Sequence, residues 1–111
     1  MGIKHCNRKG ITYQWKVARI LSEKWKNATN QGIDQRPGTC DVEGTPYWIE
    51  CKTGKRPSIT GAWRQCCDEQ KAHGDTRPIL VICHFDRFHG RESLETVTMS
   101  METFSELIGI G

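Results

Sequence analysis

The chain has 111 residues, one domain's length, and folding would bury about two-thirds of its extended surface, enough for one core without staples. With 36% hydrophobic and 26% charged residues it fits neither a disordered nor a fibrous class. The longest apolar run, Ile79-Leu80-Val81-Ile82-Cys83, is strand-sized and excludes a membrane span. The net charge of +3 is mild, but it is unevenly spread. Lys4, Arg8, Lys9, Lys16, Arg19, Lys24 and Lys26 load the first quarter, Lys52, Lys55, Arg56 and Arg64 cluster near the middle, and the acids fall mostly from Asp68 onward.

The first residues, Met-Gly-Ile-Lys-His-Cys-Asn-Arg-Lys, include no apolar core of a secretory signal, and Cys6 stands where a myristoylation signal wants Ser or Thr. Cys6, Cys40, Cys51, Cys66, Cys67 and Cys83 contain no CxxC pair, so neither a zinc site nor a disulfide framework is indicated. Reduced thiols used as small core residues are expected, with an intracellular, cytoplasmic location.

From Gly10 to Lys26 the residues Ile11, Trp15, Ala18, Leu21 and Trp25 recur at steps of 4, 3, 3 and 4, which predicts a helix with that stripe turned inward. Residues 27–38, with Asn30, Gly32, Pro37 and Gly38, read as a loop. Strands over 39–43 and 47–52 follow, joined across Gly44-Thr45-Pro46 as a hairpin. Ser58 or Thr60 can cap a second helix running to about His73, where Gly74 stops it. Residues 78–84 have the continuous apolar character of a strand buried on both faces, so a parallel crossover back to the hairpin is natural. A histidine-bearing loop leads to an alternating strand over 94–99, and Ser100 caps a last helix through Ile108. The predicted order is α-β-β-α-β-β-α, an α/β domain with a mixed sheet flanked by helices.

The chemistry concentrates in the hairpin. Alternation along 47–52 puts Tyr47, Ile49 and Cys51 on one face and Trp48, Glu50 and Lys52 on the other. Asp41 on the preceding strand can point to the same place. Two carboxylates beside a lysine make a site for a hard divalent cation, and the Cys51 carbonyl between them is a further oxygen ligand. Phosphodiester hydrolysis uses such parts: a Mg²⁺ held by Asp41 and Glu50 polarises the phosphate and activates a water, which Lys52 orients while offsetting transition-state charge. Trp15 and Trp25 are expected in the core or a dimer contact, Trp48 and Trp63 between sheet and helix. The four histidines show no ligand spacing.

Asp41 followed by Glu50-Cys51-Lys52 resembles the PD-(D/E)xK nuclease superfamily. Arg8-Lys9-Gly10 opening a helix, the later Asp and ExK, a second helix with Gln65, and the Ile-Leu-Val-Ile strand are similar to archaeal-type Holliday-junction resolvases. Small phage-encoded relatives share a Gly-Thr-Pro-x-Trp-x-Glu-Cys-Lys region like that of residues 44–52. The resemblance implies a restriction-endonuclease-like fold, a Mg²⁺ cofactor replaceable by Mn²⁺, and a homodimer making paired symmetric nicks in four-way junctions during DNA recombination and repair. It also implies a location in the host cytoplasm if the chain is phage-encoded. Gln65 corresponds to a glutamine that related nucleases place near the site. One position departs: four residues after the glycine the resolvases carry a metal-holding glutamate, and here it is Gln14, which can offer an amide oxygen but no charge.

Arg8, Lys9, Arg36, Lys55, Arg56 and Arg64 flank the site in sequence and are candidate phosphate contacts, giving affinity without base preference. Two other readings stand beside the resolvase. One is a nicking, restriction or repair endonuclease on the same fold; the other is a non-catalytic DNA-binding module, which Gln14 supports and the intact Asp41, Glu50 and Lys52 oppose.

Overall fold

Among the described residues, three helices and five strands build an α/β fold around one mixed sheet. The computed structural model describes residues 3–30, 40–88, 90 and 92–110, with residues 3–9 described through their backbone alone. In chain order the elements are α1 (Ile3–Leu21), β1 (Thr29–Asn30), β2 (Val42–Glu43), β3 (Trp48–Gly54), α2 (Ile59–His73), β4 (Ile79–Phe85), β5 (Leu94–Thr98) and α3 (Met101–Leu107). The sheet order is β1-β2-β3-β4-β5. Among the described strands β3 and β4 pair in parallel, joined through α2, and the other pairings are antiparallel. The expected order therefore gains a strand: β1 lies in the segment read as loop, and two residues are too few to carry a periodic signal of their own. Pairing of Thr29 with Glu43 and Asn30 with Val42 defines it.

The first helix also differs from expectation. It begins and ends earlier, so Gly10 lies inside it and Trp25 beyond it. Its buried residues are Tyr13, Gln14, Val17 and Ala18, with Leu21 partly covered, and Trp15 is half exposed. The inward face is thus turned from the predicted stripe, sharing only Ala18 and Leu21 with it. The reason is polar. Tyr13 enters the core because its hydroxyl donates to Glu95 Oε2 on β5 at 2.8 Å, and Lys16 Nζ reaches Oε1 of the same carboxylate at 3.2 Å. Trp25, in the turn after the helix, meets Tyr47 edge-on with ring centroids 5.6 Å apart.

The two faces of the sheet carry separate apolar clusters. Tyr13, Val17 and Ala18 of α1 pack on Val42, Ile49, Cys51, Leu80 and Ile82. Ala62 and Cys66 of α2 pack on Cys40, Trp48, Ile79, Val81 and Cys83. Both sets draw on alternate residues of β4, which explains its unbroken apolar run. The second helix has the expected ends: Ser58 Oγ accepts from Gly61 N–H, and Gly74 closes the helix at φ 67°. Ser100 caps α3 through Thr103 N–H.

Two contacts fix the hairpin. Gly44 has φ 86°, and a β-carbon there would fall on the Asn27 carbonyl, so the turn before β3 closes on the turn between α1 and β1 with no room for a side chain. Arg77, just before β4, donates to both Asp75 oxygens, to Glu43 Oε1 at 2.8 Å and to the Tyr47 carbonyl at 3.4 Å, with its guanidinium over the Trp48 ring. The fork ties the crossover to the β2–β3 turn.

Candidate active site

Strand β2 is short, and its departure from β3 creates the site. Asp41 still donates its N–H to the Ile49 carbonyl at 2.9 Å, but its side chain then takes over the role of a strand: Oδ2 accepts from Cys51 N–H at 2.8 Å. A carboxylate therefore sits where the ladder would continue. In an extended strand a residue's N–H and C=O point to the same side, so the Cys51 carbonyl faces the gap that Asp41 occupies. Asp41 and Glu50 are each 5% exposed.

Glu50 projects to the α2 face of β3. Its Oε2 lies 3.4 Å from Lys52 Nζ, and its Oε1 receives the Cys66 thiol at 3.9 Å. Lys52 also reaches Gln65 Oε1 at 3.4 Å, and Gln65 Nε2 approaches Glu69 Oε2 at 3.5 Å, one turn further along α2. The structure thus brings Asp41, Glu50, Lys52 and Gln65 together. The Gln65 amide has a defined sense, with its oxygen toward an ammonium and its nitrogen toward a carboxylate.

The electrostatics follow from that crowding. Burial, and then the Asp41 carboxylate, push the Glu50 carboxyl well above the usual carboxylate range; Glu69 adds to the rise and Lys52 opposes it. Burial and Glu50 together raise the Cys66 thiol to about 12, so it remains a neutral donor. Cys40 is likewise pushed up to about 12, chiefly by burial.

Gln14 is buried on the face of α1 that covers β3, and its Oε1 has no hydrogen-bond partner among the described residues. An orphaned buried carbonyl oxygen costs roughly 1–3 kcal/mol, an observation a cation or an ordered water would account for. Among the described residues no three His, Cys, Asp or Glu side chains form a metal-binding group. The oxygen donors brought together here are the two carboxylates and the Cys51 carbonyl; Gln14 holds its amide oxygen on α1. That set suits Mg²⁺, which takes one or two carboxylates and keeps several waters. Burial and the nearby Asp41 disfavour a second negative charge at Glu50, and a divalent cation would offset that penalty.

Of the proposed phosphate contacts, Lys55 and Arg56 are exposed in the turn that leaves β3 just beyond Lys52, and Arg64 is exposed on α2. Arg36 lies outside the described residues, as do the side chains of Arg8 and Lys9.

Glu69, Cys66 and the Tyr13–Glu95 pair were not anticipated. Glu69 stands four residues after Gln65, a spacing that shares one helix face and could have signalled it. The Tyr13–Glu95 contact spans 82 residues and left no local trace.

No family model matches the chain, and neither the curated proteins nor the solved structures contain a match.

Proposed function

We propose that this chain is a metal-dependent DNA endonuclease of the PD-(D/E)xK kind, acting as a Holliday-junction resolvase. The observation that carries the reading is the meeting of Asp41 and Glu50 where β2 leaves β3, with the Lys52 ammonium 3.4 Å from Glu50. A divalent cation at Asp41, Glu50, the Cys51 carbonyl and Gln14 would supply positive charge to a phosphate oxygen and acidify a water. The protein's own part is positional. Asp41 is held rigid by Cys51 N–H. Glu50 is held by Lys52 and Cys66, and Lys52 is held in turn by Gln65. There its charge offsets the negative charge that builds on the phosphate in the transition state, and its ammonium orients the attacking water.

The site lies beside the exposed Lys55–Arg56 turn at the carboxyl end of β3, where ligands of open α/β sheets commonly bind. Branched DNA is the substrate this reading favours, through the resolvase-like ordering of Arg8-Lys9-Gly10, Asp41, Glu50-Cys51-Lys52 and Gln65. Two sites in a homodimer would make the paired nicks.

The test places purified protein on labelled four-way junction, linear duplex and single strand, each with Mg²⁺, Mn²⁺ or EDTA. Paired symmetric nicks confined to the junction and dependent on metal support the proposal. Cutting of all three substrates replaces the resolvase with a general endonuclease. Junction binding with no cutting in either metal makes the chain a DNA-binding module, the reading that the neutral Gln14 favours. Asp41→Asn and Glu50→Gln should bind junction and leave it uncut; metal-dependent cleavage by either would sink the assignment.

A further inference from the structure

Helix α2 brings one more carboxylate to the site than the nuclease reading uses. Gln65 and Glu69 stand one turn apart and share a face of the helix. Gln65 Oε1 accepts from Lys52 Nζ at 3.4 Å, and Gln65 Nε2 donates to Glu69 Oε2 at 3.5 Å. The other Glu69 oxygen, Oε1, is buried with no hydrogen-bond partner among the described residues. Glu69 also adds to the repulsion that holds the Glu50 carboxyl above its usual range. A carboxylate so placed costs the fold something on both counts. Among the described residues its one side-chain hydrogen bond is the one from Gln65, so whatever it contributes passes through that amide.

The two ends of an amide differ in what they can bind. The oxygen only accepts and the nitrogen only donates, while an ammonium has three donors and no acceptor. Turned round, the Gln65 amide would set its N–H groups against the Lys52 ammonium and its oxygen against the Glu69 carboxylate. Two attractive contacts would become two repulsive ones. Glu69 therefore supplies one of the two contacts that select the observed sense of the amide. In that sense Lys52 has two acceptors, Glu50 Oε2 at 3.4 Å and Gln65 Oε1 at 3.4 Å, which leaves its third N–H for a substrate oxygen or a water.

The geometry points to Glu69 as a positioning residue for Lys52: its carboxylate fixes the Gln65 amide with the oxygen toward the ammonium, and the amide in turn keeps that ammonium beside Glu50. The inference rests on the nuclease reading for its effect on cleavage, whereas the placement of Lys52 is a property of the protein alone. Glu69 acts through Gln65 and takes no catalytic role itself.

The first readout needs no DNA. In protein carrying carbon-13 at the lysine ε-carbons, the Lys52 signal is identified by its loss in Lys52→Arg. Glu69→Ala should move that signal to the position it has in Gln65→Ala, and combining the two substitutions should add nothing. Glu69→Gln deletes the charge but keeps an oxygen acceptor, and it should leave the signal near its wild-type position. Gln65 is exposed and Glu69 half-buried on a helix in which alanine is well tolerated, so the variants keep the fold, which far-ultraviolet circular dichroism checks. A Lys52 signal that Glu69→Ala leaves in place overturns the inference. So does a shift of the same size with and without Gln65, or one that Glu69→Gln reproduces, because either would be the bare loss of a charge. On four-way junction Glu69→Ala should lower kcat about tenfold with KM unchanged, and Glu69→Gln should stay within about threefold of wild type. Unchanged kcat in Glu69→Ala, in a protein that cuts DNA, also overturns it. A wild-type protein that cuts no DNA while the Lys52 signals behave as stated sinks the nuclease reading and leaves the positioning of Lys52 standing.

Discussion

The surroundings of Glu50 disfavour its charge, at a cost to the fold. Burial and Asp41 hold its carboxyl above the usual range, so the folded protein favours its proton more than the unfolded chain does. The stability linked to that proton is complete below the ordinary carboxylate range and is lost as pH rises through the raised folded value. Metal-free protein should therefore melt at progressively lower temperature, relative to Glu50→Gln, as pH climbs through that window. Parallel melting curves for the two proteins would remove this account. Glu50→Gln should also be the more stable of the two at pH 8 without metal, while lacking cleavage, because it deletes the repulsion along with the ligand. Lys52 separates rate from affinity: Lys52→Ala should lower kcat by about 10²–10³-fold and shift junction Kd by less than about threefold. A matching loss of affinity would make Lys52 a phosphate anchor. Asp41, Glu50 and Lys52 were legible in the sequence because strand alternation and a hairpin turn determine their placement. Glu69 and Cys66 were not, since which face of α2 meets Glu50 depends on how the crossover docks.

At the scale of elements, local chemistry was readable wherever the chain interacts with itself nearby. The Ser58 cap, the Gly74 stop and the Ser100 cap each act within five residues. Elements whose burial depends on distant partners were not. The inward face of α1 turns on the Tyr13 contact with Glu95, and β1 exists through pairing with β2. Two of the positive-φ glycines sharpen the distinction. Gly74 at φ 67° has open space around it, so Gly74→Ala should cost only about 1 kcal/mol, the conformational penalty. Gly44 at φ 86° adds a collision with the Asn27 carbonyl, and Gly44→Ala should cost at least ~2–3 kcal/mol more. Urea midpoints of the two variants decide it; equal losses would mean that the hairpin turn moves away from Asn27 freely.

Across the whole molecule charge is segregated. Lys52, Lys55, Arg56 and Arg64 gather where β3 ends and α2 passes, whereas α3 carries Glu102 and Glu106 and no basic residue. A net charge of +3 does not report this local excess of basic residues. A polyanion would then meet the protein at the basic side, which also presents Glu50 and Lys52, and the field orients the encounter before any specific contact forms. Such binding releases counterions, so log K should fall linearly with log salt at a slope of about −0.9 per phosphate neutralised. If Lys55, Arg56 and Arg64 each hold one phosphate, replacing any of them with Ala should reduce the slope by about 1 and weaken junction and duplex alike. The measurement is fluorescence anisotropy of labelled junction in EDTA between 50 and 300 mM KCl, which isolates binding from cleavage. Unchanged slopes in all three variants would move the DNA path off the β3–α2 turn. A slope that drops for junction but not for duplex would mean that these cations read the branch itself, tying substrate choice to the residues beside Lys52.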